Sequence, residues 1–174
     1  MAEKANTGLI HVYTGDGKGK TTAALGLAIR AAGHGMRVGF IQFLKSEPCG
    51  EHLFVSQFHA FDIVQISAGD SFTKSREQLS AEAQQTLAYA EEQMLSGRYD
   101  LLILDEIFVA IHKGLITTQQ GLGLLEKKPS SVELILTGRY APPEIVQRAD
   151  LVTEMRMIKH PFNQGIAARC GIEY

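Results

Sequence analysis

Short apolar runs alternate along this chain with longer segments of helical character. Leu9 to Tyr13 predicts a buried strand, and a glycine-rich turn separates it from a helix over Thr21 to Ala32. Ala, Leu and Ile occupy nearly every face of that helix, so it is expected to be buried rather than merely amphipathic. Gly33-His34-Gly35 ends it. Arg37 to Phe43 predicts a second strand and Asp62 to Ser67 a weaker third. Ser75-Arg76-Glu77-Gln78 has the form of a capping box and opens a helix to about Leu95, with Gly97 beyond it. Leu101 to Leu104 and Val132 to Thr137 read as the fourth and fifth strands. Helical segments (Ile107 to His112 and Gln119 to Lys127) lie between them. Pro142-Pro143-Glu144 opens a further helix, and Leu151 to Met157 is a candidate last strand. Strands interleaved with helices imply an α/β fold: a mostly parallel sheet with helices on both faces. Without internal repeats or linker composition, residues 1–174 are expected to be a single domain.

Composition narrows the partners. Seventeen basic against 19 acidic residues give a formal charge of −2, with no long run of one sign, so a broad nucleic-acid footprint is not expected. Cys49 and Cys170 lie far apart, and none of the six histidines has metal-ligand spacing. Two reduced thiols are expected. Met1 to Thr7 lacks the basic segment and long apolar core of a signal peptide, and no apolar run approaches bilayer length. A cytoplasmic protein without membrane partners is the expectation.

The chemistry concentrates after the first strand. In Thr14-Gly15-Asp16-Gly17-Lys18-Gly19-Lys20-Thr21-Thr22, the glycines let successive backbone amides turn inward. With the helix N-terminus, those amides make an anion site. Lys20 is placed to reach phosphates and Thr21 to set its hydroxyl on Mg2+, so the segment reads as a P-loop for a nucleoside triphosphate, taken as ATP. The strict pattern has Gly where Thr14 stands. Leu101-Leu102-Ile103-Leu104-Asp105-Glu106 is an apolar strand ending in two carboxylates. Asp105 either helps hold the metal beside the loop or caps the following helix. Glu106 is a general base for water, a nucleotide contact or a helix-start acid. Arg139 follows the fifth strand, where ligands of open α/β sheets collect, and either clamps phosphate or lies exposed. Arg30 and Lys45 each line the nucleotide site or form surface ion pairs.

The ordered motifs resemble the short P-loop ATP:corrinoid adenosyltransferases of cobalamin synthesis and salvage. The resemblance runs from Tyr13 to Ala24, where Thr in the Thr14 place is characteristic of that group. It continues through Arg30-Ala31-Ala32-Gly33-His34-Gly35, Gln42-Phe43-Leu44-Lys45, Leu104-Asp105-Glu106 and Leu136-Thr137-Gly138-Arg139. It closes with Ala149-Asp150, Val152 to Met155, Lys159 to Phe162 and Gly171-Ile172-Glu173-Tyr174.

The resemblance implies a homodimeric RecA-like P-loop NTPase fold that binds ATP and a reduced corrinoid, with a flavoprotein such as flavodoxin as reductant. Cobalt(I) would attack the 5′ carbon of the ribose, and inorganic triphosphate would leave whole. Family ATP lies reversed relative to ordinary P-loop ATPases. Lys20, Thr21, Asp105 and Glu106 are then the expected catalytic set, with Thr21 and Asp105 on the metal. Gly15 to Thr22, Arg30, Gln42, Phe43, Lys45, Phe72 and Arg139 are the expected ligand contacts. Members with a long N-terminal helix use it to cover the site, whereas about seven residues precede the first strand here. Of the family's aromatic pair near the corrinoid, Phe72 is present and Asp70 stands in the other place. The competing readings are a P-loop kinase or ATPase and a binding module without chemistry.

Overall fold

A computed structural model describes residues 7–45, 48–66 and 73–174. In chain order the elements are β1 (Ile10–Thr14), α1 (Lys20–Gly33), β2 (Val38–Gln42), α2 (Gly50–Phe58), β3 (Asp62–Gln65), α3 (Arg76–Leu95) and β4 (Leu101–Asp105). There follow α4 (Ile107–His112), α5 (Thr118–Glu126), β5 (Glu133–Thr137), α6 (Pro143–Arg148), β6 (Leu151–Glu154) and a 3-10 turn over Pro161–Gln164. The six strands form one sheet in the order β3-β2-β4-β5-β1-β6, and every pairing is parallel.

Strand pleating divides the core in two. Leu102, Leu104, Leu134 and Leu136 point to the face covered by α3, α4, α5 and α6. Leu101, Ile103, Ile135 and Phe40 point to the opposite face, under α1 and α2. Because the central strands are buried on both sides, they read as continuous apolar runs rather than alternating ones. The sequence-predicted architecture, a parallel sheet between helical layers, is the one found.

Three local expectations are corrected. Helix α1 is not buried all round: Ala24, Ala28 and Ala31 face the sheet, while Ile29 is 51% exposed. Small residues at this spacing bring α1 close to the strands, while Leu25 and Leu27 pack partly buried beside them and Ile29 stays outside. Helix α2 had no counterpart among the predicted elements. It is capped by Cys49 and His52 instead of the usual Ser, Thr, Asp or Asn, and it buries Val55 while exposing Leu53, Phe54 and Phe58. Strand β6 stops at Glu154, because the backbone then turns beneath the glycine-rich loop, where Met155 receives the Gly17 N–H.

Helix α3 starts as predicted, with Ser75 and Gln78 capping each other reciprocally. Thr117 and Gln120 do the same for α5. Among the described residues, no helix is long and apolar enough to cross a membrane.

Candidate active site

The carboxyl ends of β1, β2, β4 and β5 converge on one cleft of about 630 Å³. β1 delivers the loop Gly15–Gly19, whose residues Gly15 and Gly19 have φ of 93° and 122°. The backbone of Met155 and Arg156 lies so close that a Cβ at Gly15 or Gly17 would collide with it. Glycine is therefore required twice over, for conformation and for space. Thr14, the departure from the strict loop pattern, accepts the Ala141 N–H through its hydroxyl at 3.2 Å. It thereby ties the base of the loop to the segment after β5.

Lys20 opens α1 and curls back into the loop, donating to the carbonyls of Gly15 and Gly17 at 2.7 and 2.8 Å. Burial lowers its pKa, and Arg139 lowers it further, against the opposing pull of Glu106, Asp16 and Asp105. The adjacent Thr21 donates to Asp105 Oδ1 at 2.8 Å.

Asp105, at the end of β4, is fully buried and heavily bonded. Its Oδ1 also accepts from the Thr137 hydroxyl at 2.7 Å. Its Oδ2 accepts from Gln42 Nε2 at 3.2 Å and from Lys45 Nζ at 3.4 Å. Since β5 lies between β4 and β1, Thr137 bridges the gap that the strand order creates; it also accepts the Glu106 N–H. A buried carboxylate at this density of donors is held as an acceptor and cannot swing freely.

Lys45 loses ammonium stability to burial, but Asp105 and Glu51 outweigh that and leave its pKa raised. Glu106 has the opposite fate: burial raises its pKa, the adjoining Asp105 charge adds to this, and Lys45, Lys20 and Arg139 only partly offset it. Its backbone sits in the left-handed region at φ 62°. Leu44 and Tyr140, after β2 and β5, do the same at 59° and 64°. Strained turns thus gather at the cleft edge of the sheet.

The cleft brings together Asp16 to Thr22, Lys45, Glu106 and Arg139 of the residues expected from sequence. Gln42 stands one layer back, fully buried between Asp105 and Gln65, which donates to it at 3.0 Å. Phe43 is corrected to a core residue: it has no exposed surface and packs into the cluster under α3 to α6. Arg30 does not line the cleft. Its neighbour Ile29 does, and the turn of about 100° per residue carries the exposed Arg30 to another side of α1. Lys18 is in the cleft wall, but its ammonium is engaged with Ile172 and Glu173. Phe72 lies outside the described residues.

Sequence reasoning from the residues alone did not single out Glu51, Thr137, His160 or the Ile172–Tyr174 stretch as parts of the site. Cys49, Glu51 and His52 also come within metal-ligand reach of one another, against the expectation drawn from spacing. However, His52 Nδ1 already accepts the Cys49 N–H at 3.0 Å to cap α2, which places the neutral ring's proton on Nε2.

A glycine-rich loop between β1 and α1, with a buried strand-end aspartate bonded to the hydroxyl of Thr21, marks this parallel α/β sheet as a P-loop NTPase-like fold. Residues 6–174 match the family model described as ATP:corrinoid adenosyltransferase BtuR/CobO/CobP, and the chain belongs to that family. It is similar to the corrinoid adenosyltransferase of Escherichia coli strain K12, at 35% identity over 96% of this chain and 86% of that protein. A Sinorhizobium corrinoid adenosyltransferase is 37% identical over 100% of this chain and 84% of its own length. The Pseudomonas aeruginosa protein of the same name is 34% identical over 96% and 84%.

Proposed function

We propose that this protein transfers the 5′-deoxyadenosyl group of ATP to cobalt(I) of a reduced corrinoid and releases inorganic triphosphate. The observation that carries the reading is the family match across residues 6–174, supported by a cleft lined by the glycine-rich loop, Lys20, Thr21 and Arg139. The cobalt lone pair forms the cobalt–carbon bond as the C5′–O bond breaks, and that bonding pair leaves with the triphosphate. Cobalt is the nucleophile, so the protein needs none of its own.

The protein's work is orientation and stabilisation of a highly charged leaving group. The loop amides and Lys20 hold the phosphates, with Lys20 exchanging its two carbonyl acceptors for phosphate oxygens. Arg139 adds positive charge at the cleft wall. The hard oxygens of Thr21 and Asp105, 2.8 Å apart, are of the chemistry that would hold a magnesium ion. Held by these two residues, such an ion would supply charge neutralisation for the triphosphate. Gln42, Thr137 and Lys45 fix the Asp105 carboxylate, which keeps this half of the site preorganised.

A single domain carrying both substrates, operating as a homodimer in the cytoplasm with a flavoprotein reductant, completes the proposal. Apolar side chains left exposed on and after the edge strand β6, among them Val152, Ile158 and Phe162, supply surface for a second copy. The test of the reaction is to mix protein, ATP, magnesium and chemically reduced cobalamin, follow the corrinoid spectrum and identify the phosphate product. Adenosylcobalamin with triphosphate is expected; ADP would assign phosphoryl transfer instead, and absence of turnover would assign a binding role.

A further inference from the structure

Lys18 occupies a position in the glycine-rich loop, yet its ammonium is engaged by the turn at residues 169–174. Its Nζ donates to the Ile172 carbonyl at 2.8 Å and to Glu173 Oε1 at 3.0 Å. The segment it grips is organised on its own terms. Arg169 holds the Glu173 carboxylate through its backbone N–H, Nε and Nη2 at 2.8, 3.2 and 3.1 Å. The turn closes through Glu173 N–H to Arg169 O and Gly171 N–H to Tyr174 O, with Gly171 at φ 75°. These hydrogen bonds, Arg169 first and Lys18 after it, hold the Glu173 carboxyl down at a pKa of about 2. It is charged at any working pH.

This turn reaches the cleft by a defined route. After β6, Met155 accepts the Gly17 N–H at 2.7 Å and donates its own N–H to Thr14 O at 2.8 Å. The same stretch of chain therefore supports the loop from beneath and returns to it at Lys18. Ile172 and Tyr174, both more than half exposed, then line the cleft together with Leu25, Ile29 and Phe54.

We propose that residues 169–174 are a strap that positions the nucleotide loop and forms one wall of the substrate cleft. Lys18 is its latch and not a phosphate ligand. Lys18 and Glu173 are accordingly positioning residues, acting through the loop backbone and through where Ile172 and Tyr174 stand. The inference rests on the nucleotide-site reading above, but not on corrinoid transfer.

The experiment is a double-mutant cycle on the full chain with Lys18→Met and Glu173→Gln, read by calorimetric binding of ATP with magnesium. An exposed ion pair acts weakly, so each single variant is expected to bind ATP about 2–5-fold more weakly. The double variant is expected to be no weaker than the worse single one. Independent, multiplying losses would make Lys18 a phosphate ligand and overturn the proposal, as would unchanged binding in both singles. A second readout needs neither substrate. Trypsin should release the peptide Cys170–Tyr174, by cleavage after Arg169, several-fold faster from Lys18→Met than from the unaltered protein, and 0.5 M salt should erase the difference. Equal release rates at low salt would show that the latch does not hold the strap. If ATP binding itself were absent, the nucleotide-site reading would fall while the trypsin comparison still judged the latch.

Discussion

At the scale of single residues, Lys20, Lys45 and Asp105 each already have partners within the site. Lys20 donates to two loop carbonyls, so on the proposed function phosphate binding would be an exchange of acceptors. Lys20→Ala removes charge-assisted contacts of about 1.5–3 kcal/mol each, and turnover at saturating ATP is expected to fall at least ~10-fold, with a near-normal melting temperature. Asp105→Asn tests a different point. An amide at the Oδ2 position would present N–H to the Gln42 and Lys45 donors, so the variant is expected to lose about 1–3 kcal/mol of stability in urea melts. Its magnesium dependence should shift as well; a fully stable variant would show that the carboxylate is not held as described. Glu106 carries the pH-dependent term. Its folded pKa is raised, so the folded protein binds the proton more tightly than the unfolded chain. Stability is then lost as pH rises from the ordinary carboxylate range through the folded value. Glu106→Gln is expected to raise the urea midpoint at pH 8 and to change it least near pH 4, and equal effects at the two pH values would remove burial as the cause.

At the scale of elements, what was legible followed the strength of local signals. β1, the glycine loop and α1 share one motif, and α3 announces itself through Ser75 and Gln78. β4 is a buried apolar run ending in Asp105, and both its extent and its aim at the loop were readable. α2 was not, because its cap is built from cysteine and histidine and most of its large apolar side chains face outward. Phe43 and Gln42 illustrate a second limit. Neighbours in a strand point to opposite faces, so a motif that includes both cannot say which one meets the ligand. Thr137 was visible in its motif, but its bridging role depends on β5 lying between β4 and β1, which no local pattern encodes. α1 offers a direct test of close packing. Ala28 is fully buried against the sheet, so Ala28→Leu should cost about 1–3 kcal/mol through overpacking, read as a lowered urea midpoint. Ala23→Leu on the exposed side of the same helix should be close to neutral.

For the molecule as a whole, the distribution of apolar surface bears on assembly. The β6 strand is exposed along its full length, and Ile158 and Phe162 beyond it are 81% and 76% exposed. Sedimentation velocity is expected to find a particle of about twice the 19.0 kDa chain mass. The pair Ile158→Asp and Phe162→Asp should shift it to the single-chain mass. A single-chain mass for the unaltered protein would remove the homodimer from the proposal.

The strand order also has a consequence for how the protein is made. β1 is the first strand synthesised, yet its neighbours in the sheet are β5 and β6. While the chain grows on the ribosome, residues 10–14 wait for partners until residues 133–137 have emerged, more than a hundred residues later. β2 and β3 can pair during that interval, and β4 can join them, since those three are adjacent. A nascent chain therefore holds half a sheet and an apolar strand with no place to dock, the kind of intermediate that draws chaperones. Thr137, which fixes Asp105, and Met155, which braces the loop, arrive in the same late interval. On the proposed function, the competence to grip a triphosphate would therefore be gained only late in translation.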